Sequence, residues 1–290
     1  MATFKDFRNN VKPNWCPGCG DFSVQAAIQR AAANVGLEPH QLAVVSGIGC
    51  SGRISGYINA YGFHGIHGRA LPIAQGLKLA NRELTVIAAG GDGDGFAIGM
   101  GHTIHAIRRN IDITYIIMDN QIYGLTKGQT SPRSAEGFKT KSTPEGSVEQ
   151  SVSPLELALS AGATFVAQSF SSDLKQLTWL IEEGIKHKGF ALINVFSPCV
   201  TFNKINTYDW FKDHIVNLEQ FPDYDPSDRI MAMNKIMETK GMLTGLIYQN
   251  KNRPSYEDLA VGYRDRKEAL AKQDIRLSRE QFDELVAEFL

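Results

Sequence analysis

The run Gly90-Gly91-Asp92-Gly93-Asp94-Gly95 carries the densest chemistry in the chain. Glycines let a backbone approach a ligand closely, and a helix starting there offers free N–H groups to an anion. A dinucleotide-binding reading fails on spacing. Phe96 and Ile98 stand where G-x-G-x-x-G needs its last glycine, and the loop has no Walker lysine. The two aspartates point elsewhere. Carboxylates facing a phosphate repel it unless a cation lies between them, and Mg²⁺ commonly joins one or two carboxylates to phosphate oxygens. Asn120, in Met118-Asp119-Asn120-Gln121-Ile122, follows Asp92 by 28 residues and offers another oxygen about one strand–helix–strand unit away. Two neighbouring strand tips can thus hold one metal.

The chain has four cysteines, Cys16, Cys19, Cys50 and Cys199, too few for a disulfide framework in a chain without a secretion signal. Trp15-Cys16-Pro17-Gly18-Cys19 invites comparison with the thioredoxin dithiol motif. That motif follows a strand, whereas no strand precedes here, and the dipeptide order is reversed. Four thiols suit one structural zinc or one [4Fe–4S] cluster. One local C-x-x-C pair with two distant singletons leans toward iron–sulfur, since zinc more often takes two local pairs. A reduced pair with two buried thiols is the plain alternative.

The elements that must position these residues follow from hydrophobic patterning. Apolar, β-branched runs at Leu42–Val45, Leu84–Ala88, Ile113–Met118, Thr164–Ala167 and Ala191–Phe196 read as strands. Helices are expected from an Asp21 N-cap to Val35 before Gly36, around Pro72 to Leu79, over Phe96–Arg109 and over Asp173–Lys186. Nearly all-apolar strands alternating with helices predict an α/β fold, a parallel sheet with helices on both faces. Ligands of such sheets sit beyond the strand C-termini, where the glycine–aspartate loop, Asn120, Cys50 and Cys199 all fall. The polar stretch 120–153 is long for a structureless loop and reads as functional. Residues 1–220 are expected to form the binding domain and 221–290 an extension that packs on the core or a partner. The extension includes an amphipathic segment, Met231–Met242, and a terminal helix, Ser278–Phe289.

With 290 residues, 43% hydrophobic and 21% charged, and a net charge of -1, the chain offers neither a basic nucleic-acid footprint nor a polybasic membrane patch. No apolar run approaches the roughly 18 residues of a membrane span. The start, MATFKDFRNNVK, lacks a signal-peptide core, so a cytoplasmic protein is expected.

The G-D-G loop followed at this distance by asparagine resembles the thiamine-diphosphate signature. That resemblance implies that Asp92, Asn120 and the main-chain carbonyl of Ile122 ligate the Mg²⁺; the common form has two asparagines where this chain has Asp119-Asn120. With CPGCG, GIGCSG, HGIHGRALPIAQGLKLAN, GGDGDGFAIGMGH, DNQIYGLTKGQTSP and NVFSPC, residues 12–210 resemble the β subunit of 2-oxoacid:ferredoxin oxidoreductases, the 2-oxoglutarate type most. The resemblance implies a thiamine-diphosphate-binding fold and one [4Fe–4S] cluster on Cys16, Cys19, Cys50 and Cys199. It implies a cofactor lining of Ile48, Gly49, Cys50, Ser51, His67, Gly93, Asp94, Gly124 and Leu125. It also implies an α subunit that supplies the catalytic glutamate, in an αβ or (αβ)₂ assembly, so that the β chain is inactive alone. The expected reaction is coenzyme A-dependent oxidative decarboxylation of a 2-oxoacid, with electrons leaving through the cluster to ferredoxin, and the reverse carboxylation is possible.

Two cations flank this site in sequence, Arg53 after Cys50 and Lys127 after Gly124-Leu125. Arginine clamps a second substrate carboxylate bidentately, which favours 2-oxoglutarate and its product succinyl-CoA over pyruvate. Pyruvate or broad 2-oxoacid use is the runner-up, and a zinc-stabilised, non-catalytic interaction protein is the reading from another class. His102 and His105, three apart on a helix, read as packing residues, and Lys139 and Lys141 as solvated.

Overall fold

The apolar runs build one eight-stranded sheet: β1 (Leu42–Ser46), β2 (Tyr61–His64), β3 (Thr85–Gly91), β4 (Ile113–Asp119), β5 (Phe165–Phe170), β6 (Phe190–Phe196), β7 (Val216–Asn217) and β8 (Leu243–Gln249). The computed structural model describes residues 2–265, 268–274 and 276–289. The strand order is β2-β1-β3-β4-β6-β5-β8-β7. Every pairing is parallel except β5 with β8, which runs antiparallel and shifts register between Val166 and Ala167.

Strands β1, β4, β5 and β6 are buried along their whole length, in keeping with their largely apolar sequences. Helices α1 (Asp21–Asn34), α2 (Ala70–Ala80), α3 (Met100–Arg109), α4 (Pro154–Ser160) and α5 (Leu174–Lys186) cover them. After α6 (Tyr208–His214) comes α7 (Arg229–Glu238). One core lies under α2, α3, α4 and α7, the other under α1, α5 and the N-terminal segment. The α/β architecture expected from sequence is present, with three departures. Residues Tyr61–His64 form an exposed edge strand, β7 and β8 extend the sheet, and Asp21 is the first helical residue of α1 rather than its cap. Of the 221–290 segment, β8 belongs to the main sheet, and the terminal helix spans Arg279–Ala287 with a capping box from Ser278 and Gln281. No helix among the described residues is long and apolar enough to cross a membrane.

At the opposite end of the sheet from the glycine loop, a buried polar knot fixes the α3–β4 turn. Asn110 takes a left-handed conformation (φ 56°), and its side-chain oxygen accepts from Thr164 Oγ1 (2.6 Å) and Phe190 N (3.0 Å). The same hydroxyl lies 2.8 Å from His187 Nε2. Burial holds the His187 pKa down at about 4 against an ordinary 6.5, with Asp112 opposing the shift. A histidine depressed in the folded state binds its proton first in the unfolded chain, so its stability contribution is present above about pH 6.5 and lost as pH falls toward 4. Asp21 and Asp92 are raised in the folded state and act with the opposite sign, so only a comparison isolates His187. The stability advantage of the wild type over His187→Gln in urea unfolding is expected to shrink steadily between pH 7 and pH 4.5; a constant difference would show that His187 does not titrate in this way.

Candidate functional site

The loops that leave the C-terminal ends of β1, β2 and β3 meet at the Asp94 carboxylate. Its Oδ1 accepts from Ile48 N (2.9 Å) and Gly68 N (2.8 Å) and lies 2.7 Å from His67 Nδ1. A Cβ on Gly47 would stand 1.9 Å from Asp94 Oδ2, so only glycine lets the β1 loop come this close. Gly93 is pinned likewise, because its Cβ would fall 2.1 Å from the Tyr123 ring. The chain then enters a single π-helical turn, Asp94–Ile98, before α3, a distortion that recurs at functional sites. Asp94 Oδ2 is buried with no hydrogen-bond partner among the described residues.

These loops and the one after β4 enclose a cleft lined by Ile48, Gly49, Cys50, Ser51 and His67 on one side and Asp92, Gly93, Asp94, Asn120 and Ile122 on another. Tyr123, Gly124, Leu125 and Thr126 complete the wall. All nine residues expected to line a cofactor, and all three expected metal ligands, border this one cleft. Asp92 is 2% exposed. Burial, and next the Asp119 carboxylate, push its pKa above the ordinary carboxylate range, while Ser131 and Arg133 oppose the shift. A carboxylate so placed needs a positive counter-charge to stay ionised, which suits a divalent cation. Asn120 Oδ1 accepts from Ile122 N at 3.1 Å, and Gln121 between them is left-handed (φ 58°), so this tight turn brings the expected ligand residues together. Oxygen donors of this kind fit Mg²⁺.

The four cysteines come from three segments, and Cys50 and Cys199 meet beside Gly124 at one end of the cleft. All are free thiols. A Cβ on Gly124 would lie 3.5 Å from Cys199 Sγ and 3.7 Å from Cys50 Sγ. Burial first, and then neighbouring Asp21 and Cys199, raise the pKa of the Cys50 thiol to about 11, and Cys19 is raised further by the same groups with Cys50. Trp15 Nε1 donates to the Cys50 carbonyl at 2.7 Å, tying the C-x-x-C segment to the β1 loop. Among the described residues no three His, Cys, Asp or Glu side chains stand close enough to hold a single metal ion. Four thiols are nevertheless the donor set an iron–sulfur cluster uses, and metal binding takes the protons that burial holds on Cys19 and Cys50.

Arg53 and Lys127 differ from the rest. Both are exposed, neither borders the cleft, and neither has an ion-pair partner among the described residues. Lys127 sits at φ 76° in the turn Gly124–Gly128. His102 is half-buried and His105 exposed, with no metal grouping between them, and Lys139 and Lys141 are exposed. Sequence reasoning missed Ser131, whose hydroxyl donates to Asp92 Oδ2, and Tyr123, whose ring covers Gly93. Both lie in the long loop read as functional, but no local pattern marks which of its residues turn inward.

Comparison with known proteins fits this geometry. Residues 47–195 match the family described as the C-terminal thiamine pyrophosphate-binding domain of thiamine pyrophosphate enzymes. Residues 199–265 match the C-terminal family of the pyruvate ferredoxin oxidoreductase β subunit. A Sulfolobus 2-oxoacid:ferredoxin oxidoreductase subunit beta is 45% identical over 89% of this chain and 87% of its own length. The 2-oxoglutarate oxidoreductase subunit KorB of Mycobacterium tuberculosis is 47% identical over 69% of this chain and 53% of its own. A solved chain of the 2-oxoglutarate:ferredoxin oxidoreductase from Magnetococcus marinus, with 2-oxoglutarate, coenzyme A and succinyl-CoA bound, superposes with a TM-score of 0.89 at 39% identity. That superposition covers 98% of this chain and 96% of the other. Fold and site together define a thiamine pyrophosphate enzyme. Within that class, the chain belongs to the β subunits of the 2-oxoacid:ferredoxin oxidoreductases.

The crowding at Gly47 makes a specific demand. Gly47→Ala is expected to push Asp94 out of its three contacts, destabilising the fold by about 1–3 kcal/mol as overpacking does. It should also weaken thiamine diphosphate binding, measured by calorimetry with Mg²⁺ present. Unchanged binding in a folded variant would show that Asp94 does not shape the cofactor site.

Proposed function

We propose that this β subunit binds thiamine diphosphate through Mg²⁺ held by Asp92, Asn120 and the Ile122 carbonyl, and carries a [4Fe–4S] cluster on Cys16, Cys19, Cys50 and Cys199. The observation that carries the proposal is the position of Gly124. It borders the cleft that would take the cofactor, and a Cβ there would lie within van der Waals reach of two of the four thiols. When bound, the thiazolium supplies the electron sink for loss of CO₂, and the cluster supplies one-electron steps toward ferredoxin.

The residues of this chain bind and orient. The free N–H groups at the turn entering α3 and the metal tip would anchor the diphosphate. His67 and Asp94 brace the β1 loop against the β3 tip. No glutamate borders the cleft among the described residues, in keeping with a glutamate supplied by an α subunit. Exposed apolar side chains at its rim, Ile48 (37%) and Leu125 (57%), with Ile66 (75%) beside His67, suit coverage by that partner in an αβ or (αβ)₂ complex.

The substrate is proposed to be 2-oxoglutarate, converted with coenzyme A to succinyl-CoA. The KorB relatives and the Magnetococcus structure support this, and Arg53 and Lys127, near the site in sequence and without an ion-pair partner among the described residues, suit a second carboxylate. The archaeal 2-oxoacid relatives fit a broad specificity equally well.

Purified anaerobically with its α partner, the protein is expected to hold about four irons per β chain. Cys199→Ser should lose the cluster absorbance while still binding thiamine diphosphate. One zinc and no iron per chain would falsify the cluster and restore the interaction-protein reading. In the same preparation, coenzyme A-dependent viologen reduction should run much faster with 2-oxoglutarate than with pyruvate. Arg53→Met should then raise KM for 2-oxoglutarate about tenfold or more, the cost of one charged hydrogen-bonding partner, with pyruvate unaffected. Faster turnover of pyruvate by the wild type would keep the mechanism and reverse the substrate.

A further inference from the structure

Asp119 closes β4 immediately before the expected ligand Asn120, and it is fully buried. A charge there needs a partner. Its Oδ2 accepts from Arg133 Nε at 2.8 Å and Asn194 Nδ2 at 3.1 Å, while its Oδ1 is buried without a partner among the described residues. Arg133 does more than neutralise. Its Nη1 donates to the Val152 carbonyl (2.6 Å) and Ser151 Oγ (3.1 Å), and Ser151 Oγ returns a bond to the Arg133 carbonyl (3.1 Å). The guanidinium therefore staples the far end of the 120–153 loop to the tip of β4.

The staple reaches the metal tip through its neighbours. Arg133 N donates to Ser131 Oγ at 3.2 Å, and that hydroxyl donates to Asp92 Oδ2. Ser131 N donates to Ser134 Oγ (2.9 Å), which donates to the Gln121 carbonyl (2.7 Å) inside the ligand turn. Residues 131–134 thus bond both strand tips, Asp92 just beyond β3 and Gln121 beyond β4. The other Asp92 oxygen accepts no side-chain hydrogen bond among the described residues, on a side chain that borders the cleft.

We propose that Arg133, anchored on Asp119, is a positioning residue that sets Ser131 against one oxygen of Asp92 and so leaves the other free for the metal. The Asp119–Arg133 pair also adds no net charge behind the site, which is how a carboxylate is tolerated where the common form of the signature has an uncharged amide. This inference rests on the proposed Mg²⁺–diphosphate reading of the cleft.

The test is equilibrium binding of thiamine diphosphate to the cofactor-stripped αβ complex, titrated with Mg²⁺ and followed by calorimetry, with thermal unfolding of the same samples. Groups that orient metal ligands typically cost about 10–100-fold in metal affinity when removed. Arg133→Gln is expected to raise half-saturating Mg²⁺ about tenfold, with a much smaller change in cofactor affinity at saturating Mg²⁺. Arg133→Lys, which keeps the charge but not the fork, should fail to rescue. Ser131→Ala, a small change that tests the same path should Arg133→Gln not fold, should shift Mg²⁺ in the same direction. The double variant should be less than additive. A lowered melting temperature with unchanged Mg²⁺ dependence in either single variant, rescue by lysine, or strict additivity would overturn the inference. Wild-type complex that binds thiamine diphosphate without Mg²⁺ dependence would overturn the underlying reading as well.

Discussion

The whole strand-tip region depends on one constraint, the close approach of three loops to a single carboxylate. Asp94 Oδ1 holds the β1 loop through Ile48 and the β2–α2 connection through His67 and Gly68. The β3 loop that carries Asp94 can meet them only because Gly47 presents no side chain. Below it, Tyr115 lies fully buried against Gly95, and Thr103 Oγ1 donates to the Gly95 carbonyl at 2.9 Å, so the π-helical turn is bolted to β4 and α3. Glycine here supplies absence of volume, and the polar groups then supply rigidity.

Electrostatics follow the same edge. A parallel sheet directs its polar strand ends to one side, and here three buried carboxylates besides Asp94, namely Asp21, Asp92 and Asp119, stand near it. Each has a different solution. Asp119 has Arg133; Asp21 accepts from Ser197 Oγ at 2.6 Å and keeps one buried oxygen without a partner among the described residues; Asp92 has only a serine. Of the two without a cation, Asp92 borders the cleft, where a buried carboxylate suits a bound cation.

Much of this was legible in the sequence, and what was not has a common cause. Residues at strand ends, Cys50, Asp92, Asn120 and Cys199, declare themselves because an apolar run precedes each within a few positions. Once the sheet is parallel, those ends must converge. By contrast β2 reads Tyr-Gly-Phe-His and lies exposed at an edge, so no hydrophobic pattern announces it. The direction of β8 against β5 is a tertiary fact that alternation along a strand does not encode. Ser131 meets Asp92 across 39 residues, and Arg133 meets Asp119 across 14, through a loop whose polar composition looks alike inside and out. Arg53 shows the converse, a residue prominent in the sequence that sits outside the cleft wall.

The antiparallel arrival of β8 also bears on how the chain is made. Strand β5 is buried throughout and carries Phe-Val-Ala-Gln-Ser-Phe, yet β6 covers only one of its two edges. The other edge waits for residues 245–249 of β8, which pair with Phe165–Gln168. During synthesis, an apolar strand edge therefore stands open until the ribosome has passed the eighth strand, and such edges recruit other chains. The last strand is thus a seal on solubility, and a nascent or clipped chain that lacks it retains nearly every residue of the cleft while exposing the surface most prone to aggregate.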